Sequence, residues 1–229
     1  MEKWFLWMDA AHPAALNMAL DDTLLADAAA LGAPALRFYT WEKPAVSIGY
    51  VQDHAAAPAS GYEVVRRSTG GGVVFHDVDL TYSAVIPPGH WIERLDRLES
   101  YHVFHRGVVQ AMALLGVEAA LAPSAAATPD RATMRCFASP TRYDVLGLGG
   151  AKLAGAAQRR TKHGILHQGS VSLQPAEGDW SRLANALRDG FAATLEAQFE
   201  TFAPDDAFMA RAARLAAEKF SSDAWNKIR

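Results

Sequence analysis

Three consecutive glycines, Gly70 to Gly72, follow two arginines and two hydroxyls and run straight into β-branched apolar residues in RRSTGGGVVFH, Arg66 to His76. Each glycine costs backbone entropy on folding, so such a run is either a slack surface turn or a place where backbone must come close to something polar or negatively charged. For an isolated glycine run the slack turn is the commoner explanation. Here the flanking residues are β-formers rather than linker residues, and Arg66 and Arg67 stand just upstream. Backbone N–H groups that converge without a Cβ form nests for phosphates and developing oxyanions. Guanidinium groups beside them would add charge-assisted hydrogen bonds. The run matches neither the Walker lysine motif nor the dinucleotide fingerprint.

With 229 residues, 50% of them hydrophobic, the chain can bury a full-sized core. No apolar run approaches the ~18 residues that a membrane span needs. The opening MEKWFLWMDAAHP places acids on both sides of a very short apolar stretch, which is not a signal-peptide pattern. A single cysteine excludes an internal disulfide and agrees with a reducing cytoplasm. The net charge of −3 gives no global attraction to nucleic acid, so an acidic partner must meet a local basic patch.

The periodicity predicts a helix over 13–31, with Leu16, Leu20, Leu24 and Ala28 four apart and Gly32 at the stop. Two short strands flank Glu42-Lys43-Pro44, another spans Tyr62 to Arg66, and Val73–Phe75 with Leu80–Ile86 read as a hairpin turning at 76–79. A helix is expected over 97–115, a mobile loop over about 118–134, and strands over 142–146, 152–157 and 164–173. A helix capped by Asp179 is expected from Trp180 to Phe199, and a last one from about Asp205 to Phe220. With no repeat and no internal boundary, the pattern is one α+β domain over 1–229 with mostly antiparallel strands.

Cys136 ends the loop in MRCFASPTRYD. A free cysteine is commonly a small buried hydrophobe. Its neighbours Arg135 and Arg142 would instead favour the thiolate, and composition leaves the two readings near even. Lys152 enters its strand among Gly150, Ala151, Ala154, Gly155, Ala156 and Ala157. It is either a solvated charge or an ammonium aimed into a groove that small side chains keep open. The eight histidines contain no HExxH pair, and one cysteine cannot build a zinc cluster, so no metal site is expected. Arg159, Arg160, Lys162 and His163 read most simply as a solvated face. They are also the best candidate patch for docking an acidic protein.

Taken together, these stretches resemble the lipoate–protein ligase and octanoyltransferase family, within the biotin/lipoyl ligase superfamily. The segments carrying the resemblance are LNMALDD (16–22), LRFYTWEKPAVSIGYVQ (36–52), RRSTGGGVVFHDVDLTYSAVIP (66–87), CFASPTRYDV (136–145), KLAGAAQRR (152–160), GILHQGSVSL (164–173) and the closing EKFSSDAWN (218–226). One departure is Lys227, which stands where the family commonly has an aromatic after Trp-Asn.

The resemblance implies a single biotin/lipoyl-ligase-like domain with a mixed, mainly antiparallel sheet and an acyl tunnel. Arg67, Ser68, Thr69, Gly70, Gly71, Gly72, His76, Gly155 and Ala156 would hold the acyl group or an acyl phosphate, and Lys152 falls at the family's catalytic lysine. Cys136 stands where the cysteine-containing octanoyltransferases carry theirs, and the chain stops without the carboxyl-terminal domain of many ligases, so transfer is expected. In that route Cys136 takes octanoyl from acyl carrier protein and passes it to a lysine of lipoyl domains, in 2-oxoacid dehydrogenases or glycine-cleavage H protein, without a cofactor. Arg159, Arg160 and Lys162 would dock the acidic partners of a cytoplasmic monomer that binds neither nucleic acid nor membrane. The alternatives are a ligase using Mg-ATP and free lipoate, a lipoyl amidotransferase, and a non-catalytic acyl-binding protein.

Overall fold

A computed structural model describes residues 1–58, 60–123, 141–173 and 180–229. The chain opens with β1 (Glu2–His12), which the sequence reading did not call, because its apolar residues alternate too irregularly. Pro13 then fixes the start of α1 (Ala14–Ala26), a short α2 (Ala28–Leu31) continues it, and Gly32 stops it at φ 67°. The strands β2 (Ala35–Trp41), β3 (Ala45–Ile48), β4 (Glu63–Arg66), β5 (Val74–His76) and β6 (Leu80–Ile86) follow. The short α3 (Trp91–Arg94) precedes α4 (Arg97–Leu114), whose cap is Asp96 accepting from the Glu99 N–H. Next come β7 (Ala119–Leu121), β8 (Val145–Gly147), β9 (Lys152–Thr161) and β10 (Gly164–Val171). The chain continues through α5 (Trp180–Leu195), β11 (Ala197–Thr201), α6 (Asp206–Leu215), a π-helical turn over Ala216–Phe220, and α7 (Asp223–Asn226).

Eight strands form one sheet in the order β11-β1-β2-β6-β10-β9-β8-β7, and β4-β3-β5 form a second. The large sheet is antiparallel except where β1 runs parallel to β11 and β2. This is the mixed, mainly antiparallel α+β arrangement expected. Alternation along β2 divides its side chains between the two faces. Leu36 and Phe38 join Phe104, Val108, Leu187 and Phe191 under α4 and α5. Ala35 packs on the other face with Trp7 of β1, Leu20 and Leu24 of α1 and Phe208 of α6. The helices α4 and α5 approach so closely that a Cβ on Gly190 would stand 2.3 Å from the Gly107 carbonyl. Among the described residues no helix is long and apolar enough to cross a membrane.

Three local expectations need correction. β5 and β6 are not a hairpin: β5 pairs with β3 and β6 with β2 and β10, so residues 76–79 carry the chain from one sheet to the other. A contact between His76 Nδ1 and Asp79 Oδ2 at 2.9 Å spans that crossing. The helix expected to reach Phe199 ends at Leu195; Glu196 takes φ 50° and the next residues pair with β1 as β11. Within the expected loop, Ala119–Leu121 is a strand paired with β8. Residues 124–140 and the cap residue Asp179 lie outside the described residues.

Candidate active site

The glycine loop joins β4 to β5 and closes over a cleft between the two sheets. The cleft is lined by Met18 of α1, Tyr39 and Trp41 of β2, Ser47 of β3, Arg67, Gly71, Val74, His76, Thr81, Gly155–Ala157 of β9 and Gln168–Ser170 of β10. Gly71 explains much of the glycine run: its φ is 88°, a conformation that L side chains rarely adopt. Opposite it, a Cβ on Gly49 would lie 2.1 Å from the Gly71 carbonyl oxygen, so backbone there packs directly on backbone. Gly70 has open space where its Cβ would be.

The two arginines build this loop from within. Arg66 is fully buried and donates to the carbonyls of Gly49, Tyr50, Gln52, Trp225 and Asn226 at 2.5–3.2 Å. Arg67 donates to the carbonyls of Ser47, Gly70 and Gly72 and to Ser47 Oγ, at 2.6–3.1 Å. The carbonyls that Gly70 and Gly72 would otherwise leave unpaired are thereby turned toward a cation inside the protein. The sequence reading had these guanidinium groups reaching a ligand; the bonds described here run to the chain's own carbonyls and, from Arg67, to Ser47 Oγ, while Arg67 also lines the cleft.

Ser68 Oγ donates to Asp22 Oδ2 at 2.8 Å, where Lys219 Nζ also sits at 2.7 Å. Thr69 Oγ1 donates to Gln168 Oε1 at 2.6 Å, and Gln168 Nε2 donates on to Asp21 Oδ2 at 2.7 Å. Asp21 is fully buried and also accepts from Arg37, Tyr39 and Ser83. Burial, and then the Asp21 carboxylate, push the Tyr39 phenol well above its ordinary range. His76 is stacked on Trp41 with ring centroids 3.9 Å apart, and its Nε2 lies 2.8 Å from Ser47 Oγ. Asp79 Oδ2 accepts from Thr81 and Ser170 as well, while its Oδ1 is buried with no hydrogen-bond partner among the described residues.

Lys152 begins β9, with its Nζ 2.8 Å from Asp144 Oδ2 and both side chains almost wholly buried. It curls over Gly155, which in turn lines the cleft. Nearby His105 Nδ1 meets the Tyr143 carbonyl at 2.5 Å. Burial lowers its pKa, against the opposing pull of Asp144. Ala156 lines the cleft beside Gly155.

The basic cluster is divided by strand alternation. Arg159 stands over the Tyr50 ring at 5.6 Å, on the side of the loop that Arg66 holds. Arg160 donates to the Glu93 carbonyl at 2.9 Å and to Gln158 and Ser100, on the α4 side. Lys162 is exposed at the β9–β10 turn. Cys136 lies outside the described residues.

Sequence reasoning missed Asn17, Asp21, Asp22, Arg37, Ser47, Asp79, Asp144 and Gln168. The signal for the first three was LNMALDD: three polar residues on a helix that buries Asn17 and Asp21 completely.

The model of the family described as lipoyl protein ligase A/B catalytic domain matches residues 13–199. Octanoyltransferase LipM of Symbiobacterium thermophilum is 41% identical over 189 residues, and the alignment covers 76% of this chain and 66% of that protein. Over that alignment the chain spans about two thirds of its relative's length. Octanoyltransferase LipM of Halalkalibacterium halodurans is 29% identical over 276 aligned positions, covering 99% of both. A T. acidophilum protein solved with bound lipoic acid has the same fold, with a TM-score of 0.82 at 22% identity over 100% of both chains.

Proposed function

We propose that this chain, which belongs to the lipoyl protein ligase A/B catalytic-domain family, transfers an octanoyl group from acyl carrier protein to the target lysine of lipoyl domains. The observation that carries the reading is its 41% identity to an octanoyltransferase over 189 residues, 76% of this chain. The cleft itself is suited to an acyl chain: Met18, Tyr39, Trp41, Val74, Ala156 and Ala157 supply apolar wall.

In this route the Cys136 thiolate attacks the octanoyl thioester carbon. A new C–S bond forms and the carrier thiolate leaves. Lys152 and N–H groups around Gly71 and Gly72 stabilise the tetrahedral oxyanion, and removing one such donor typically costs ~100–1000-fold in rate. The lipoyl-domain amine then attacks, an amide forms, and the departing Cys136 thiolate takes up the amine's proton. A thioester is already an activated acyl donor, so the route consumes no nucleotide. Lys162, exposed at the β9–β10 turn, and Arg159 and Arg160 on the two sides of β9 supply the charge that meets the acidic partners, and the setting is the cytoplasm.

Intact-protein mass spectrometry after mixing with octanoyl-acyl carrier protein, without ATP, tests the reading. A hydroxylamine-sensitive octanoyl adduct on wild type and none on Cys136→Ser is expected. Modification of a lipoyl domain that needs free lipoate and Mg-ATP, and that survives Cys136→Ser, would overturn it in favour of ligation.

A further inference from the structure

Lys152 is held more firmly than a strand lysine needs to be. Its Nζ meets Asp144 Oδ2 at 2.8 Å, and the two side chains are 2% and 3% exposed. The same carboxylate oxygen accepts from the Thr141 N–H at 2.5 Å and from Thr141 Oγ1 at 2.9 Å. The Asp144 backbone is pinned as well: its N–H donates to the Thr141 carbonyl at 3.0 Å and its carbonyl accepts from Ala122 N–H at 2.8 Å. From the other side, a Cβ on Gly155 would stand 2.4 Å from Lys152 Cε and 2.5 Å from Nζ. The lysine therefore occupies the volume that any other residue at 155 would fill. Among the groups facing the pair, His105 is buried and its pKa is lowered by that burial, so at neutral pH it brings no competing charge.

We infer that Asp144 is a positioning residue, acting through Lys152: it clamps the ammonium over Gly155 and fixes the direction in which that charge is presented to the reacting acyl carbonyl. The inference rests on the octanoyl-transfer reading for its consequence, but the clamp itself is a property of the folded chain. An ion pair with both partners out of water is held best when further hydrogen bonds support the carboxylate, and the two Thr141 donors do so on the Oδ2 that meets Lys152. Rigid aim matters because stabilisation of a developing oxyanion falls away steeply with misplacement.

The test is a double-mutant cycle with Asp144→Asn and Lys152→Ala, read as octanoyl transfer under saturating donor. Asp144→Asn is expected to lower kcat by ~10–100-fold with little change in KM, as a ~1 Å misplacement does. The double variant is expected to be no slower than Lys152→Ala alone, because a residue acting through the lysine has nothing left to position. Asp144→Glu, which keeps the carboxylate, should recover part of the loss. Wild-type rates in Asp144→Asn, or losses that multiply in the double variant, would overturn the inference. A second readout does not need turnover: peptide mass spectrometry of Lys152 after a short exposure to trinitrobenzenesulfonate. Lys152 should be labelled several-fold faster in Asp144→Asn than in wild type, and equal labelling would refute the clamp. If wild type transfers no octanoyl while the labelling difference is present, the transfer reading fails and the clamp stands.

Discussion

Arg66 and Asn226 are joined twice across 160 positions of sequence: the Arg66 N–H donates to Asn226 Oδ1 and Arg66 Nη2 donates to the Asn226 carbonyl, each at 2.8 Å. Asn226 Nδ2 donates in turn to the Phe220 carbonyl at 2.7 Å, and Trp225 Nε1 to the Arg66 carbonyl at 2.8 Å. The closing Trp-Asn is thus an edge partner for β4 and a clasp on the arginine that shapes the 49–52 turn. Lys227, the departure from the family pattern, points to Asp223 at 2.8 Å and takes no part in the clasp.

Asn226→Ala should therefore lower stability without touching the cleft's walls. It strands the buried Arg66 N–H and the Phe220 carbonyl, at about 1–3 kcal/mol for each buried group left unsatisfied. For a chain of this size, ~2–4 °C of Tm accompanies each kcal/mol, so differential scanning calorimetry should show a drop of at least a few degrees. An unchanged Tm would mean that water or a neighbour replaces the clasp.

Gly49 and Gly70 make a contrasting pair on either side of the loop. In Gly49→Ala the new Cβ meets Gly71 O at 2.1 Å and the Gly71 and Gly70 carbonyl carbons at 3.0 and 3.1 Å, all backbone. The loop must shift, at about 1–3 kcal/mol or more, and transfer should fall with it. Gly70→Ala meets nothing within 4 Å and should unfold within ~1–2 °C of wild type. Activity and Tm measured side by side check both halves. Equal behaviour of the two variants would contradict the packing of Gly71 on Gly49.

The elements that could be read from sequence are those whose own periodicity is strong: α1, α4, the strands around Pro44, and β9 with β10. What could not be read is who pairs with whom. β5 and β6 are adjacent in sequence and both β-rich, yet their partners lie in different sheets, and no local pattern distinguishes that from a hairpin. The site was half legible for the same reason. The glycine run announces itself because three glycines between arginines and β-formers are costly unless backbone must approach closely, and Lys152 because small residues surround it. Arg66 and Arg67 also stood out, but all their described acceptors except Ser47 Oγ are main-chain carbonyls, which carry no side-chain signature. Asp144 was invisible because an aspartate eight residues before a lysine looks like any surface charge until the β8–β9 turn brings them together.

Asp21 and Arg37 anchor the loop to the rest of the core. Arg37, with no exposed surface, donates to Asp21 at 2.7 Å, to Asn17 Oδ1 at 2.7 Å and to Asp9 at 2.8 Å. Asp21→Ala removes one carboxylate from this cation and also the acceptor of Tyr39, Ser83 and Gln168. Breaking a buried pair from one side costs about 3–5 kcal/mol, and the remaining Asp9 contact places this case at the lower end. Urea denaturation should show the loss, and because Gln168 holds Thr69, transfer should fall even at temperatures where the variant is folded. Full activity in a folded Asp21→Ala protein would show that Thr69 needs no anchor.

Acid stability should be set in part by His167. It is fully buried, stacked on Phe104 at 4.2 Å, within reach of Tyr82 OH at 3.3 Å and Gln158 at 3.4 Å. Burial, and then the neighbouring His105, lower its pKa well below 6.5. The folded protein therefore keeps this imidazole neutral while the unfolded chain protonates it near pH 6.5. The unfolded state then binds the extra proton, so stability is intact above that pH and falls as the pH drops below it, by up to ~1.4 kcal/mol per pH unit for each such group. His105, also lowered by burial, acts in the same direction. Tm measured from pH 7.5 to pH 5 should fall on the acid side in wild type and fall less steeply in His167→Gln. Parallel curves for the two proteins would show that the acid sensitivity originates elsewhere.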